Sequence, residues 1–224
     1  MKLFWESMKK YRVLWIFSII MLVLAVVSLM TSSNRQKLVY KDALDEVVAT
    51  VQGEDITLRE FAIYVAHQEA EVESQALIYN SDNPKQYWGL HTNGKFIKHA
   101  ARDAAITMAI HDELFFQLSK DLNIEFTEED QRVLECDVAD FWSDLTDDAK
   151  DEKLGITYED VYSAMTKIAY AQKSQAIYAA MNGLEYEDYD FSSEDYQEFL
   201  GKYEYSIEEH VLERIAFGDV TLEH

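Results

Sequence analysis

The stretch from Val13 to Met30, VLWIFSIIMLVLAVVSLM, limits what the rest of the chain can be. It has eighteen residues and no charge, and its only polar side chains are Ser18 and Ser28. As a helix rising about 1.5 Å per residue it spans roughly 27 Å, close to the roughly 30 Å hydrocarbon core of a bilayer. The expected layout is a cytoplasmic head at 1–12, a transmembrane anchor at 13–30, a polar linker at 31–45 and an extracytoplasmic helical domain at 46–224. A cleaved signal peptide is the competing reading, but signal cores run about 7–15 residues and end in small residues. Met30 fits that poorly, although Thr31-Ser32-Ser33 offers a weak site. No cysteine stands near the apolar run, which excludes a lipobox anchor.

Orientation follows from the flanking cations, since Lys and Arg mark the cytoplasmic side. Lys2, Lys9, Lys10 and Arg12 precede the run; Arg35, Lys37 and Lys41 follow it, diluted by Asp42, Asp45 and Glu46. The bias places the head inside and the bulk of the chain outside a cell membrane crossed once. Residues 31–224 hold 16 basic and 41 acidic residues, a net of −25. That surface repels nucleic acid and anionic headgroups. Cys136 is the single cysteine, so no intramolecular disulfide forms. An exported chain without disulfides fits a Gram-positive-type bacterium.

One proline and seven glycines in 224 residues point to long helices. Val47–Val51 reads as a short strand closed by the turn Gln52-Gly53-Glu54-Asp55. Thr57 with Glu60 forms a capping-box pattern for a helix reaching Tyr79. Lys95 to Leu122 gives the strongest helical period, with Phe96, Ala100, Ala104, Met108, His111, Phe115, Leu118 and Leu122 as its stripe. Thr127/Asp130 and Thr157/Asp160 open two further helices. The core set of the second is expected at Val161, Met165, Ile168, Ala169, Ile177 and Met181, with Asn182-Gly183 as its C-cap. Ser193 caps a short helix to Leu200, and Arg214 to Leu222 reads as extended, a strand with a bulge at Gly218-Asp219. The fold class expected is mainly α, an N-terminal transmembrane helix followed by a helical domain with a small strand pair.

The run VVATVQGEDITLREF, Val47 to Phe61, resembles the opening of the SurA/PrsA-like foldases. The carrying residues are Val51, Gln52, Gly53, Ile56, Thr57, Glu60 and Phe61, with Gln52 where the family usually has Asn. Ser119, Asn123, Ile124, Phe126, Thr127, Glu128 and Glu129 match the end of the family's long second helix. The resemblance covers roughly residues 46–220 and is a likeness of fold. It implies a SurA N-terminal-type chaperone domain that cradles unfolded or partly folded exported polypeptides, with Arg214–Leu222 returning to pair with Val47–Val51. A parvulin prolyl isomerase domain is not expected, because residues 127–200 read as helices.

No nucleophile elbow, HExxH or phosphate-binding glycine loop occurs. His99 and His111 lie about 120° apart on a helix and make no ligand pair. His111 reads as a satisfied core histidine and Cys136 as a small filler. Asp137, Asp140, Asp144, Asp147, Asp148 and Asp151 recur as a solvated helix face, without a calcium-loop pattern. No catalytic residue, cofactor or metal is expected. The surplus of Tyr, Trp and Met reads either as core packing or as an adaptable groove. The peptide-binding candidates are Tyr87, Trp88, Met108, Phe116, Trp142, Tyr162, Met165 and Tyr170. The expected partners are exported polypeptides and the membrane, without nucleic acid, and with a homodimer left open. The alternative reading is a dedicated partner-binding or assembly subunit of an envelope machine.

Overall fold

A computed structural model describes Ile19, Met21 and residues 37–222. The expected head, the expected anchor apart from Ile19 and Met21, and the first part of the expected linker lie outside the described residues. Among the described residues no helix is long and apolar enough to cross a membrane. The compact unit begins at Leu38.

The last part of the expected linker belongs to the core. Tyr40, Ala43 and Leu44 are buried, and the Tyr40 hydroxyl donates to the Leu58 carbonyl at 2.7 Å. Strand β1 (Val47–Val51) follows, and β2 (Glu54–Thr57) returns antiparallel to it. Between them Gln52 and Gly53 both have positive φ, 52° and 86°. This is the two-residue hairpin geometry in which right-twisted strands close without splaying. The expected tight turn is therefore present, and the residues after it form a strand.

Helix α1 (Leu58–Tyr79) starts where expected, but the capping box at Thr57 and Glu60 does not form. The first amides of α1 have other acceptors. Leu58 N–H donates to the Glu46 carbonyl at 2.9 Å and Arg59 N–H to the Leu44 carbonyl at 2.8 Å. The Glu60 carboxylate turns to Lys167. A short helix α2 (Lys85–Trp88) and a small hairpin of β3 (His91–Thr92) and β4 (Lys95–Phe96) lead into helix α3 (Ile97–Asp121). Helices α4 (Glu128–Asp144) and α5 (Tyr158–Asn182) both open on complete capping boxes, Thr127/Asp130 and Thr157/Asp160. Gly183 ends α5 in the left-handed conformation, φ 70°.

The chain closes with α6 (Glu194–Leu200), β5 (Tyr205–Ile207) and α7 (Glu209–Leu212). The sheet runs β2-β1-β5, so β1 is the central strand and Val48, Ala49 and Val51 are buried. The partner of β1 is β5, with Ala49 opposite Ile207 and Val51 opposite Tyr205. This corrects the expectation for Arg214–Leu222, which forms turns and no strand. Its amides have a different acceptor, the Glu69 carboxylate on α1. Gly218 N–H, Val220 N–H and Thr221 N–H donate to it at 2.6, 3.1 and 2.6 Å, and the Thr221 hydroxyl at 2.5 Å. A segment whose donors are satisfied by a side chain has no need of a ladder.

Helix α3 lies against both α1 and α5. Its buried rows are Ala101, Ala105, Ala109 and Ile106, Ile110, Leu114, together with His111 and Phe115. The expected stripe is off by one residue at its start, where Phe96 and Ala100 are exposed. Small residues at the contact let the helix axes approach, so alanines occupy it and larger side chains stand beside it. Helix α5 shows the same correction. Ala164, Ala171, Ser174, Gln175 and Ala179 are buried with Val161, whereas Ile177 and Met181 are exposed. On α4 Leu134 and Val138 face inward, and Asp137, Asp140 and Asp144 face solvent as expected.

Candidate functional site

Helices α1, α3 and α5 do not close fully on one another. Between them, with Phe141 of α4 at one side, lies a hollow of about 330 Å³. That is at the lower end of the roughly 300–1,000 Å³ typical of ligand sites. Its apolar wall comes from Ile63 on α1, Met108 on α3, Phe141 on α4 and Met165 and Ile168 on α5. Phe191 completes it from the segment between α5 and α6. Methionine has three rotatable bonds and a polarisable sulfur, so a wall with two of them can adjust to different contents.

The polar side of the hollow is ordered by hydrogen bonds between elements. Tyr64 on α1 donates from its hydroxyl to Asp112 Oδ2 on α3 at 3.0 Å. His111 Nδ1 is 2.9 Å from Asp112 Oδ1. His111 Nε2 donates to the carbonyl of Tyr189 at 3.0 Å. Gln175 Nε2 on α5 donates to the carbonyl of Tyr186 at 2.9 Å. The segment from Tyr186 to Phe191 is thus hung over one end of the hollow by two buried side chains, one from each flanking helix. Burial first, then the neighbouring Asp112 carboxylate, pushes the Tyr64 hydroxyl well above its ordinary range, so it stays a donor. His111 is a satisfied core residue, as its place on the apolar side of α3 implies.

A second, partly buried polar group ties the three helices beside the hollow. Lys167 Nζ on α5 donates to Glu60 Oε1 and Oε2 on α1 at 2.7 and 2.9 Å. It also forms an ion pair with Glu113 Oε2 on α3 at 2.5 Å. Burial lowers the Lys167 ammonium, but the two carboxylates outweigh it and the net direction is up. Burial raises Glu60 despite the pull of Lys167.

Of the eight candidate residues, Met108 and Met165 meet in the hollow. Phe116 and Tyr170 stand together at a separate recess near Lys120 and Asn123, and Tyr170 stacks on Phe126 with centroids 3.8 Å apart. Trp142 packs edge-on to Tyr158, and the Tyr162 hydroxyl accepts from Gln131 at 2.6 Å. Tyr87 leans on Tyr79. Trp88 is buried against the C-terminal turns and donates from its indole to Glu73. Much of the remaining aromatic surplus is core: Phe115, Tyr178, Tyr189, Phe199 and Tyr203 form a chain of ring contacts between α3, α5 and α6.

The hollow's polar residues were not among the candidates. Gln175, Asp112 and Tyr186 look in the sequence like helix-surface or loop residues, and only the crossing of α3 and α5 brings them together. Among the described residues no group of three His, Cys, Asp or Glu could hold a metal ion. Comparison with protein-family models, with curated proteins and with solved structures found no match.

Proposed function

We propose that this protein holds apolar segments of other polypeptides in the hollow between α1, α3 and α5, as a chaperone-like protein of the SurA/PrsA type without prolyl isomerase activity. In this reading the apolar run at 13–30 keeps it at a cell membrane, with the domain on the outer side. The observation that carries the reading is the hollow itself: an adaptable wall containing Met108 and Met165, in a chain where residues 127–200 form helices and turns. The hairpin-and-helix opening at Val47–Phe61 adds support through its resemblance to that family. A holding function needs no reacting group, only a surface that exchanges one apolar filling for another.

The test is suppression of aggregation. The full chain in detergent is added to several unrelated aggregating proteins, beside a Met165→Trp variant that fills the hollow. Broad suppression by the wild type and its loss in the variant is the expected result. If the wild type leaves every client to aggregate, the general chaperone reading is wrong. Recovery of a single protein by cross-linking in cells would then identify a dedicated partner.

A further inference from the structure

One end of the domain departs from its overall charge. Residues 31–224 hold 16 basic and 41 acidic residues, yet the stretch between Asp82 and Asp103 has no Asp or Glu. It carries Lys85, Lys95, Lys98 and Arg102, with His91 and His99. Asp103 pairs with Lys95 at 2.7 Å and with Arg102 at 3.2 Å, and Asp219 pairs with Lys85 at 3.1 Å. Glu213 faces His99. Lys98 is exposed and has no ion pair among the described residues. Four cations thus meet three carboxylates here, where the rest of the domain has acids in more than twofold excess.

The same end exposes apolar side chains. Tyr64 bonds to Asp112 and Gln68 to Met108, so four residues forward on α1 match four residues back on α3. Continued at that step, residues 76–79 come level with residues 97–100. Ile78 is 88% exposed, and Leu77 and Tyr79 are about half exposed. Tyr79 leans on Tyr87 of α2. The hairpin His91–Phe96 is exposed at all six positions and adds nothing to the core. Its Phe96 ring stands edge-on to His91 and His99, with centroids 5.1 and 5.6 Å away. Exposed Ile, Leu and Phe beside Tyr and Lys is the make-up of a surface that lies in a lipid interface, its apolar tips at the acyl boundary and its cations at the phosphates.

We infer that this end of the domain, the last turn of α1 with the His91–Phe96 hairpin and Lys98, docks on an anionic phospholipid surface. The inference rests on the apolar run at 13–30 holding the chain at a membrane, and is independent of the hollow. The domain's acidic average does not oppose it. Charges more than about 8 Å from the headgroups are screened at physiological ionic strength, so the lipid meets the end that touches it. A chain already tethered needs only a weak second contact to settle one way up. A soluble polyanion would leave Leu77 and Ile78 in water, which is why lipid is the occupant that fits.

The test uses the full chain reconstituted in vesicles of phosphatidylglycerol or of phosphatidylcholine, with flotation to show that the vesicles hold it. An environment-sensitive dye is placed on Thr92→Cys in a Cys136→Ser background, and the vesicles contain a headgroup-nitroxide lipid as quencher. The same dye on the native Cys136 of α4, outside the patch, is the reference. Quenching at position 92 in phosphatidylglycerol, weaker in phosphatidylcholine and small at Cys136, is the expected result. Each cation near an anionic surface is worth about 1 kcal/mol, so Lys98→Gln should lower the ratio of docked to undocked chains roughly fivefold, and Lys98→Glu further. Ile78→Ser should lower it roughly tenfold. Matching thermal melts establish that these variants fold. No quenching at position 92 in vesicles that hold the chain overturns the inference and leaves the tether standing. Equal quenching at 92 and 136, or quenching indifferent to lipid charge and to Lys98→Glu, also overturns it. So does a dye response in detergent that grows with protein concentration, the mark of a second copy, or that follows added poly-glutamate, the mark of an acidic polypeptide. A chain that does not float with either vesicle overturns the tether and the inference together.

Discussion

At the residue scale the firmest tie in the domain is one carboxylate. Glu69 is fully buried and accepts from three amides and one hydroxyl of the segment 218–221. Removing it strands those donors in the interior. Glu69→Ala should lower unfolding free energy by roughly 3–5 kcal/mol, the scale for breaking a buried charged group from its partners. Glu69→Gln, which keeps one acceptor oxygen, should lower it by roughly 1–3 kcal/mol. Urea denaturation of the three proteins checks the order. Gly218 is fixed by the same turn. Its φ is +90°, and a Cβ there would lie 2.7 Å from Trp88 Cδ2. Gly218→Ala should therefore destabilise the fold and shift Trp88 emission to the red as the indole is pushed outward. Neither role is legible in the sequence. Glu69 sits in the run HQEAEVE, which reads as a solvated helix face, and its partners are about 150 residues away in the chain. Local pattern reports periodicity and caps; it carries no information about which distant amides need an acceptor.

At the level of elements, the helices were readable wherever the signal is local. Thr127 and Asp130 close a capping box, and so do Thr157 and Asp160, because side chain and amide are three residues apart and need no tertiary partner. The box at Thr57 does not form, because the Glu60 carboxylate that would close it goes to Lys167 instead. The hairpin at His91–Phe96 was missed although Asn93-Gly94, both with positive φ, is a strong turn signal. Only two residues pair on each side, too few to show alternation. Asp130 allows a test of the α4 cap. It accepts from Lys173 Nζ at 2.5 Å as well as from Thr127, and these bonds hold its carboxyl down at about 2. A carboxyl whose folded value lies below its unfolded one stabilises the fold above the unfolded value, and that contribution fades as pH falls toward the folded one. Asp130→Asn should melt below the wild type at pH 6, and the two melting temperatures should converge between pH 4 and about 2. A constant difference across that range would show that the cap, and not the charge, is what the substitution removes.

For the whole molecule the ends of the domain close each other. The chain leaves β1 early and returns to it only at β5, which pairs on the side that β2 leaves open. Past β5, Val211, Leu212, Ile215, Phe217 and Val220 are all buried. The Leu38 amide donates to the Arg214 carbonyl at 2.9 Å, so the start of the unit is held by its last part. The apolar pattern predicts a strand in this tail at Arg214–Leu222, and the strand lies at Tyr205–Ile207. RIAFGDVTL has the stronger apolar alternation, yet Ile215, Phe217 and Val220 are buried without a ladder and the amides of 218, 220 and 221 go to Glu69. The weaker run YSI takes the ladder, pairing with Ala49, Thr50 and Val51. A chain stopped after Gly201 would lose both the edge strand and these five side chains. Fully burying each is worth about 1.5–3 kcal/mol, so the loss approaches or exceeds the roughly 5–15 kcal/mol that holds a typical domain folded. The truncated chain should therefore lose the cooperative melt of the full chain, seen as a flat thermal trace by near-ultraviolet dichroism. It should also lose the hollow, because Ile63 and Tyr64 of its lining stand on α1, which packs on β1 and β2. A cooperative melt retained by the truncated chain would mean that the four long helices hold the domain by themselves and that the sheet is ornamental to it.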